Sequence, residues 1–362
     1  MKGVDHSMKK TKKIITIAAI FIAAVFILSM VQLLVVPKYM SGVLEGGMVA
    51  EYYDETTDHD VIFIGDCEVY ENFSPVTLWE DYGITSYIRG SAQQLIWHSY
   101  YLLEETFRYE QPDVVVFNVL SMKYAEPQNE AYNRMMLDGM KLSSSKLKAI
   151  KASMMEEETF ISYLFPLLRY HSRITELTAE DFRYMFRRDK ITHNGYLMRT
   201  DVKAMTQLPM PAPLADPTIA ASNFDYLDKM RELCEENGAE LILIKSSSLY
   251  PHWYDEWDAQ IVDYAEKNGL RYINYIPMMD QLGIDMQTDT YDGGLHLNLW
   301  GAEKLTREFG RMLSEEYNIP DHRGEAEYDS VWAEKVQFYY DMIAAQQAEL
   351  EEYGYLKSWT LG

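Results

Sequence analysis

The run Asp113-Val114-Val115-Val116-Phe117-Asn118-Val119-Leu120 is the tightest constraint on what this chain can fold into. It is short for a helix, rich in β-branched residues and almost free of polar interruption, so it reads as a strand buried on both faces. Such strands belong to parallel sheets, whose crossover connections lay helices over the sheet. The rest of the chain supplies both parts. Residues 61–64, 84–88, 240–245 and 271–275 read as four further strands, and residues 91–110, 224–237, 253–267 and 300–317 as helices. Ser74-Pro75 opens a shorter helix, with Ser as N-cap and Pro at the first helical position. The expected fold is α/β: a doubly wound, mainly parallel five-stranded sheet.

The alternation breaks off once. Residues 121–221 hold helical segments rich in Met, Tyr and Arg and close on Pro209-Met210-Pro211-Ala212-Pro213. They read as a helical insertion that caps the domain, or as an extra helical layer with no part in substrate access. The α/β domain is then residues 60–120 and 222–320. A C-terminal helix and tail, 321–362, either packs back on it or offers a helix to a partner.

Residues 14–36 carry no charge over a length that, at about 1.5 Å per residue, crosses a bilayer as a helix. Lys9, Lys10, Lys12 and Lys13 precede them, and the chain soon turns acidic. The positive-inside rule then puts residues 1–13 in the cytoplasm, makes 14–36 a single-pass transmembrane anchor and places the main domain outside, beyond a stalk at 37–59. A cleaved signal peptide is the other reading; against it stand the length of the run and the lack of a small-residue cleavage site close behind it. The formal charge is −23, and because residues 1–38 are locally basic the remainder is more acidic still, which argues against nucleic acid or anionic lipid as the main partner of the folded part. The two cysteines, Cys67 and Cys234, lie in unlike surroundings and do not make a disulfide framework.

Candidate chemistry begins at Gly65-Asp66-Cys67, where the strand at 61–64 turns sharply. A helix starting there would give Cys67 free backbone N–H groups and the positive end of a dipole, favouring a thiolate nucleophile. The competing reading is a buried packing cysteine. The second half of the site is Asp289-Thr290-Tyr291-Asp292-Gly293-Gly294-Leu295-His296. Asp292 can fold back to orient the His296 ring and leave Nε2 free as a base, with Asp289 as a substitute partner. Cys67, Gly90, Asn118 and His296 all fall on or near strand-to-helix loops, the edge of a parallel sheet where ligands bind. Metal binding by Cys67, His296 and a carboxylate has suitable ligand types but no supporting spacing. No Gly-rich phosphate loop, H-E-x-x-H segment or zinc-finger spacing appears, so no cofactor is expected.

Across residues 58–120 and 222–318 these motifs resemble the SGNH/GDSL hydrolases, whose sheet is flavodoxin-like, and within them membrane-anchored relatives acting on cell-wall and exopolysaccharide acyl groups. Gly65-Asp66-Cys67 matches the nucleophile block, with Cys where the family has Ser. Gly90 and Asn118 match the second and third blocks, and Asp292 and His296 match the final D-x-x-H with one extra residue. The resemblance implies an oxyanion hole from the Cys67 and Gly90 N–H groups and the Asn118 amide. It also implies an extracytoplasmic esterase or O-acyltransferase with a Cys-His-Asp relay acting on an envelope or glycan ester. The alternative is a catalytically degenerate member that binds a glycan or an envelope protein and scaffolds an acyl-transfer system.

Overall fold

A computed structural model describes residues 2–36, 47–187 and 189–359. Residues 37–46 of the expected stalk, with Gly42 and Gly46, lie outside the described residues. The chain divides into two compact units, so that the stretch read as one insertion is shared between them. One unit, Met1–Lys38 with Glu158–Asp189, holds α1 (Lys2–Val35), α8 (Phe160–Leu164), α9 (Leu167–Tyr170), a 3-10 turn (His171–Thr175) and α10 (Ala179–Phe186). Within α1, Lys10–Val35 is long and apolar enough to cross a membrane.

The other unit, Tyr39–Glu157 with Lys190–Gly362, is the α/β domain. Strands β1 (Val61–Gly65), β2 (Ser86–Gly90), β3 (Val114–Asn118), β4 (Glu240–Lys245) and β5 (Arg271–Asn274) form one all-parallel sheet in the order β2-β1-β3-β4-β5. Its helices are α2 (Met48–Glu51), α3 (Cys67–Tyr70), α4 (Pro75–Tyr82), α5 (Ile96–Thr106), α6 (Glu130–Gly139), α7 (Ser144–Ser153), α11 (Ala221–Asn237), α12 (Asp255–Asn268), α13 (Leu299–Glu316) and α14 (Ala326–Tyr353). The chain leaves β1 for β2 on one side and returns to β3 on the other. A crevice therefore opens at the carboxyl ends of β1 and β3, the switch point where ligands bind in doubly wound sheets.

Alternate side chains cover opposite faces, as the two-residue period of a strand demands. Phe63 meets Phe73 and Phe309 at ring separations of 4.9 and 5.5 Å, joining β1 to the segment before α4 and to α13. Ile62, Val115, Phe117 and Leu243, fully buried, point the other way; on that side α5 packs on β1 and α11 on β4. The C-terminal helix α14 packs back on the domain through Trp332, stacked on Trp79 at 5.0 Å, and through Tyr339, whose hydroxyl bonds Glu303 at 3.1 Å.

One local departure from the sequence reading, and one expected turn, shape the crevice. The helix expected from Ser91 begins only at Ile96. Gln94 turns its amide back to the Arg89 carbonyl at 3.0 Å and Ser91 donates to Gln94 at 3.1 Å, so these residues form a turn beyond β2. At the end of β1 the turn requires glycine, since a Cβ on Gly65 would stand 2.7 Å from Val69 Cγ2 and 3.1 Å from Asn118 Cβ.

Beneath the crevice lies a fully buried ion pair. Lys245 Nζ, at the end of β4, donates to both Glu68 oxygens at 2.9 and 2.8 Å and to the Ser246 carbonyl at 3.0 Å. Removing one member strands the other's charge, which costs about 3–5 kcal/mol. Lys245→Met is therefore expected to lower unfolding stability by that amount in urea titrations, and Glu68→Gln in the same chain to recover much of it. A neutral single substitution would show that the pair does not hold the sheet edge.

Candidate active site

Cys67 is the first residue of α3, whose N-cap Asp66 accepts the Glu68 N–H at 3.2 Å. Glu71 and Asn72 follow directly, and both are buried. Asn72 Nδ2 donates to Ser246 Oγ at 2.9 Å and Ser248 Oγ at 3.2 Å, beyond β4, and its Oδ1 accepts the Leu297 N–H at 2.9 Å. One fully buried amide thus ties the loops after β1 and β4 to the segment that carries His296.

That segment accommodates the extra residue between Asp292 and His296 in a glycine loop. Gly293 and Gly294 both take left-handed backbone angles, φ +86° and +101°, which L side chains rarely adopt. The loop curls so that Asp292 Oδ1 accepts the His296 N–H at 2.9 Å while Oδ2 stands 2.7 Å from Nδ1. Asp289, the substitute partner, is engaged elsewhere: its Oδ2 receives Lys304 Nζ at 2.6 Å and the Asp285 N–H at 2.8 Å.

Cys67, Tyr291 and His296 line one cavity of about 460 Å³, joined by Lys123, Tyr124 and Arg199. The Cys67 thiol lies close enough to His296 for each to act on the other's ionisation. Nε2 is buried and makes no hydrogen bond within ordinary distance and angle limits. Thiol and imidazole are thus neighbours, as a proton exchange between them requires.

A second carboxylate, which the sequence reading did not identify, also faces the imidazole. Glu71 Oε2 is 3.1 Å from Nδ1, and Tyr291 donates its hydroxyl to that same oxygen, lying 3.2 Å from Nδ1 itself. The sequence carried a signal for it: Glu71 lies four residues after Cys67, one helical turn on and on the same face. Arg199 stands over the Tyr291 ring at 4.4 Å and the Trp359 ring at 4.5 Å, and pairs with Asp201 at 2.7 Å.

Two expected oxyanion donors fall elsewhere. Asn118 is buried and gives its amide to Asp66 at 3.1 Å and Glu68 at 3.0 Å, while its carbonyl accepts the Ser246 N–H at 3.2 Å. Its place at a strand end was read correctly, but the two acids beside Cys67 consume its donors. Gly90 pairs with Gly65 at the end of β2 and is not among the lining residues; Ala92, Gln93 and Gln94 line the cavity instead.

The electrostatics also differ from a helix-activated thiolate. Burial pushes the Cys67 thiol up to about 12, with Asp66 and Glu71 adding to the rise and His296 opposing it. A four-residue helix does not offset that desolvation. Burial likewise raises Asp66, helped by Glu68, to about 6. For His296 burial acts downward, yet the Glu71 charge, Cys67 and the bond to Asp292 carry its pKa well above the usual value.

No protein-family model matches the chain, and no curated protein does. Among solved structures it is similar to a Bacteroides fragilis protein described as a candidate acylhydrolase, at 13% identity and a TM-score of 0.36, covering 74% of this chain and 94% of that one.

A neutral imidazole is needed to take the thiol proton, and Glu71 raises both Cys67 and His296. Alkylation of Cys67 by iodoacetamide, followed by peptide mass spectrometry to separate Cys234, should therefore rise on the alkaline side of an ordinary cysteine's ~8.5. Removing one carboxylate with Glu71→Gln should move that rise to lower pH by roughly one unit. An unmoved profile would contradict the electrostatic role given to Glu71.

Proposed function

We propose that this chain is a membrane-anchored acyl hydrolase or O-acyltransferase of SGNH/GDSL type, with Cys67 as nucleophile, His296 as base and acid, and Asp292 as the residue that orients the ring. The observation carrying this reading is the meeting, in one cavity, of a thiol and a carboxylate-bonded imidazole about 230 positions apart in the chain. The chemistry needs nothing else from the side chains than a nucleophile, a proton carrier and oxyanion donors.

The Cys67 proton passes to His296 Nε2, and Sγ attacks an ester carbonyl to form a C–S bond and an oxyanion. The Cys67 N–H and the Ala92–Gln94 turn supply donors for that oxyanion, with the exposed Gln93 amide in the role that Asn118 cannot fill. Collapse breaks the ester C–O bond, and the departing oxygen takes the Nε2 proton and leaves as an alcohol. Water or an acceptor hydroxyl then gives its proton to Nε2 and attacks the thioester; the C–S bond breaks and the thiol regains its proton. The aromatic wall of Tyr124, Tyr132, Tyr250, Tyr291 and Trp359 suits a sugar ring, in keeping with a cell-envelope glycan ester. The lysines in α1 ahead of its uncharged stretch would keep its start in the cytoplasm and the α/β domain outside.

The raised thiol pKa and the committed Asn118 favour a second reading, a non-catalytic member of the fold that binds a glycan or an envelope protein. Turnover of p-nitrophenyl acetate separates the two. Cys67→Ala should abolish it and Cys67→Ser keep part of it if the site is catalytic. Equal rates in the wild type and Cys67→Ala would overturn the enzymatic reading.

A further inference from the structure

The unit that contains α1 exposes an apolar surface that folding leaves uncovered. In Glu158–Asp189, Ile161, Phe165, Leu168, Ile174, Phe182 and Phe186 are 48, 40, 56, 52, 52 and 81% exposed. Phe182 and Phe186 stand one helical turn apart on α10, whose buried positions are Asp181 and Tyr184. Six such residues in one short stretch are more than a soluble surface ordinarily leaves to water.

What covers them is indicated by the helix they pack on. α9, α10 and the 3-10 turn between them contact α1, and Arg173 Nη1 donates to the Val35 carbonyl at 2.7 Å, at the end of the candidate span Lys10–Val35. Counted from Ile14, past the last lysine, to Val35, its uncharged part is about 33 Å long at ~1.5 Å per residue against the ~30 Å of a hydrocarbon core, so Val35 falls at the outer edge of that core. Arg173 also holds Asp181 at 3.0 Å, fixing α10 to the same level. The stretch has five Arg against five acidic residues, so it brings none of the chain's large negative charge to a lipid surface. Its apolar side chains, arginines and tyrosines are the composition of an interfacial element.

We propose that Glu158–Asp189 is a second membrane-binding element, lying in the headgroup and acyl boundary of the leaflet where α1 emerges, with its exposed Ile, Leu and Phe side chains in lipid. The inference rests on the reading of α1 as a membrane span. The occupant is the bilayer itself, and the expected depth is about 5–10 Å below the headgroups.

The test uses the full chain in nanodiscs holding one copy each, with Cys67→Ser and Cys234→Ser removing native thiols. An environment-sensitive nitrobenzoxadiazole label is placed at Phe182→Cys, Phe186→Cys or, as a depth reference, Ile22→Cys, in discs with or without lipids brominated near the headgroup or deep in the acyl chain. Phe186 is so exposed that its replacement does not endanger folding. The expected result is blue-shifted emission at 182 and 186 that loses intensity with shallow bromines, while 22 loses it with deep ones. Quenching at 22 alone, with water-like emission at 182 and 186, overturns the proposal and leaves the span intact. No quenching at 22 overturns both. A blue shift at 182 and 186 unaffected by bromine would mean that protein, not lipid, covers the face, and also overturns it.

Discussion

The site depends first on the charge buried beneath it. Glu68, next to Cys67 in the chain, takes Lys245 from the end of β4 and the Asn118 amide from the end of β3. Taking such a pair out of water is costly, and it persists only with its donors and acceptors satisfied. Here the ammonium is: its three protons reach two carboxylate oxygens and a carbonyl. The ends of β1, β3 and β4 are thereby pinned to one point, which sets where α3 starts and where the thiol stands.

Much of this was legible in the chain because the strands are written as short apolar runs and α4, α11, α12 and α14 end at glycines. The sheet, its parallel sense and the crossing helices follow from hydrophobic pattern alone. The Asp292 and His296 pairing was legible for a different reason: two glycines between a carboxylate and an imidazole allow the left-handed backbone angles that a tight loop needs. What was not legible depends on polar side chains competing for one another. Residues 91–95 suit a helix by composition, and only the return of Gln94 to the Arg89 carbonyl diverts them into the cavity wall. Asn118 sits where a ligand-facing amide would sit, yet whether it is free depends on Asp66 and Glu68, which a linear reading assigns to other tasks.

The apolar face of α10 shows the same limit from the other direction. Read as sequence, Phe160–Met185 is a helical segment of a cap or of an extra helical layer, since apolar residues at helical spacing ordinarily mark a buried side. In the fold the contacts group it with α1, and Phe182 and Phe186 are left in the open. Periodicity identifies an apolar face; it does not say whether protein or lipid covers it.

The unusual balance at His296 follows from pairing a half-buried thiol with two carboxylates at one ring nitrogen. Moving a proton from Sγ to Nε2 creates a thiolate and an imidazolium in a place that desolvates both. Asp292 and Glu71 stand 2.7 and 3.1 Å from Nδ1, and Glu71 is the leading charge that raises His296 but a minor one at Cys67. At an effective dielectric near 20, a unit charge at about 4 Å is worth about 4 kcal/mol and less as distance grows. The carboxylates therefore stabilise the imidazolium more than they oppose the thiolate, and proton transfer gains from both. The same field keeps the ring protonated to higher pH, so what favours the ion pair also delays the base. A single carboxylate would suffice to orient the ring; the second changes when it can act.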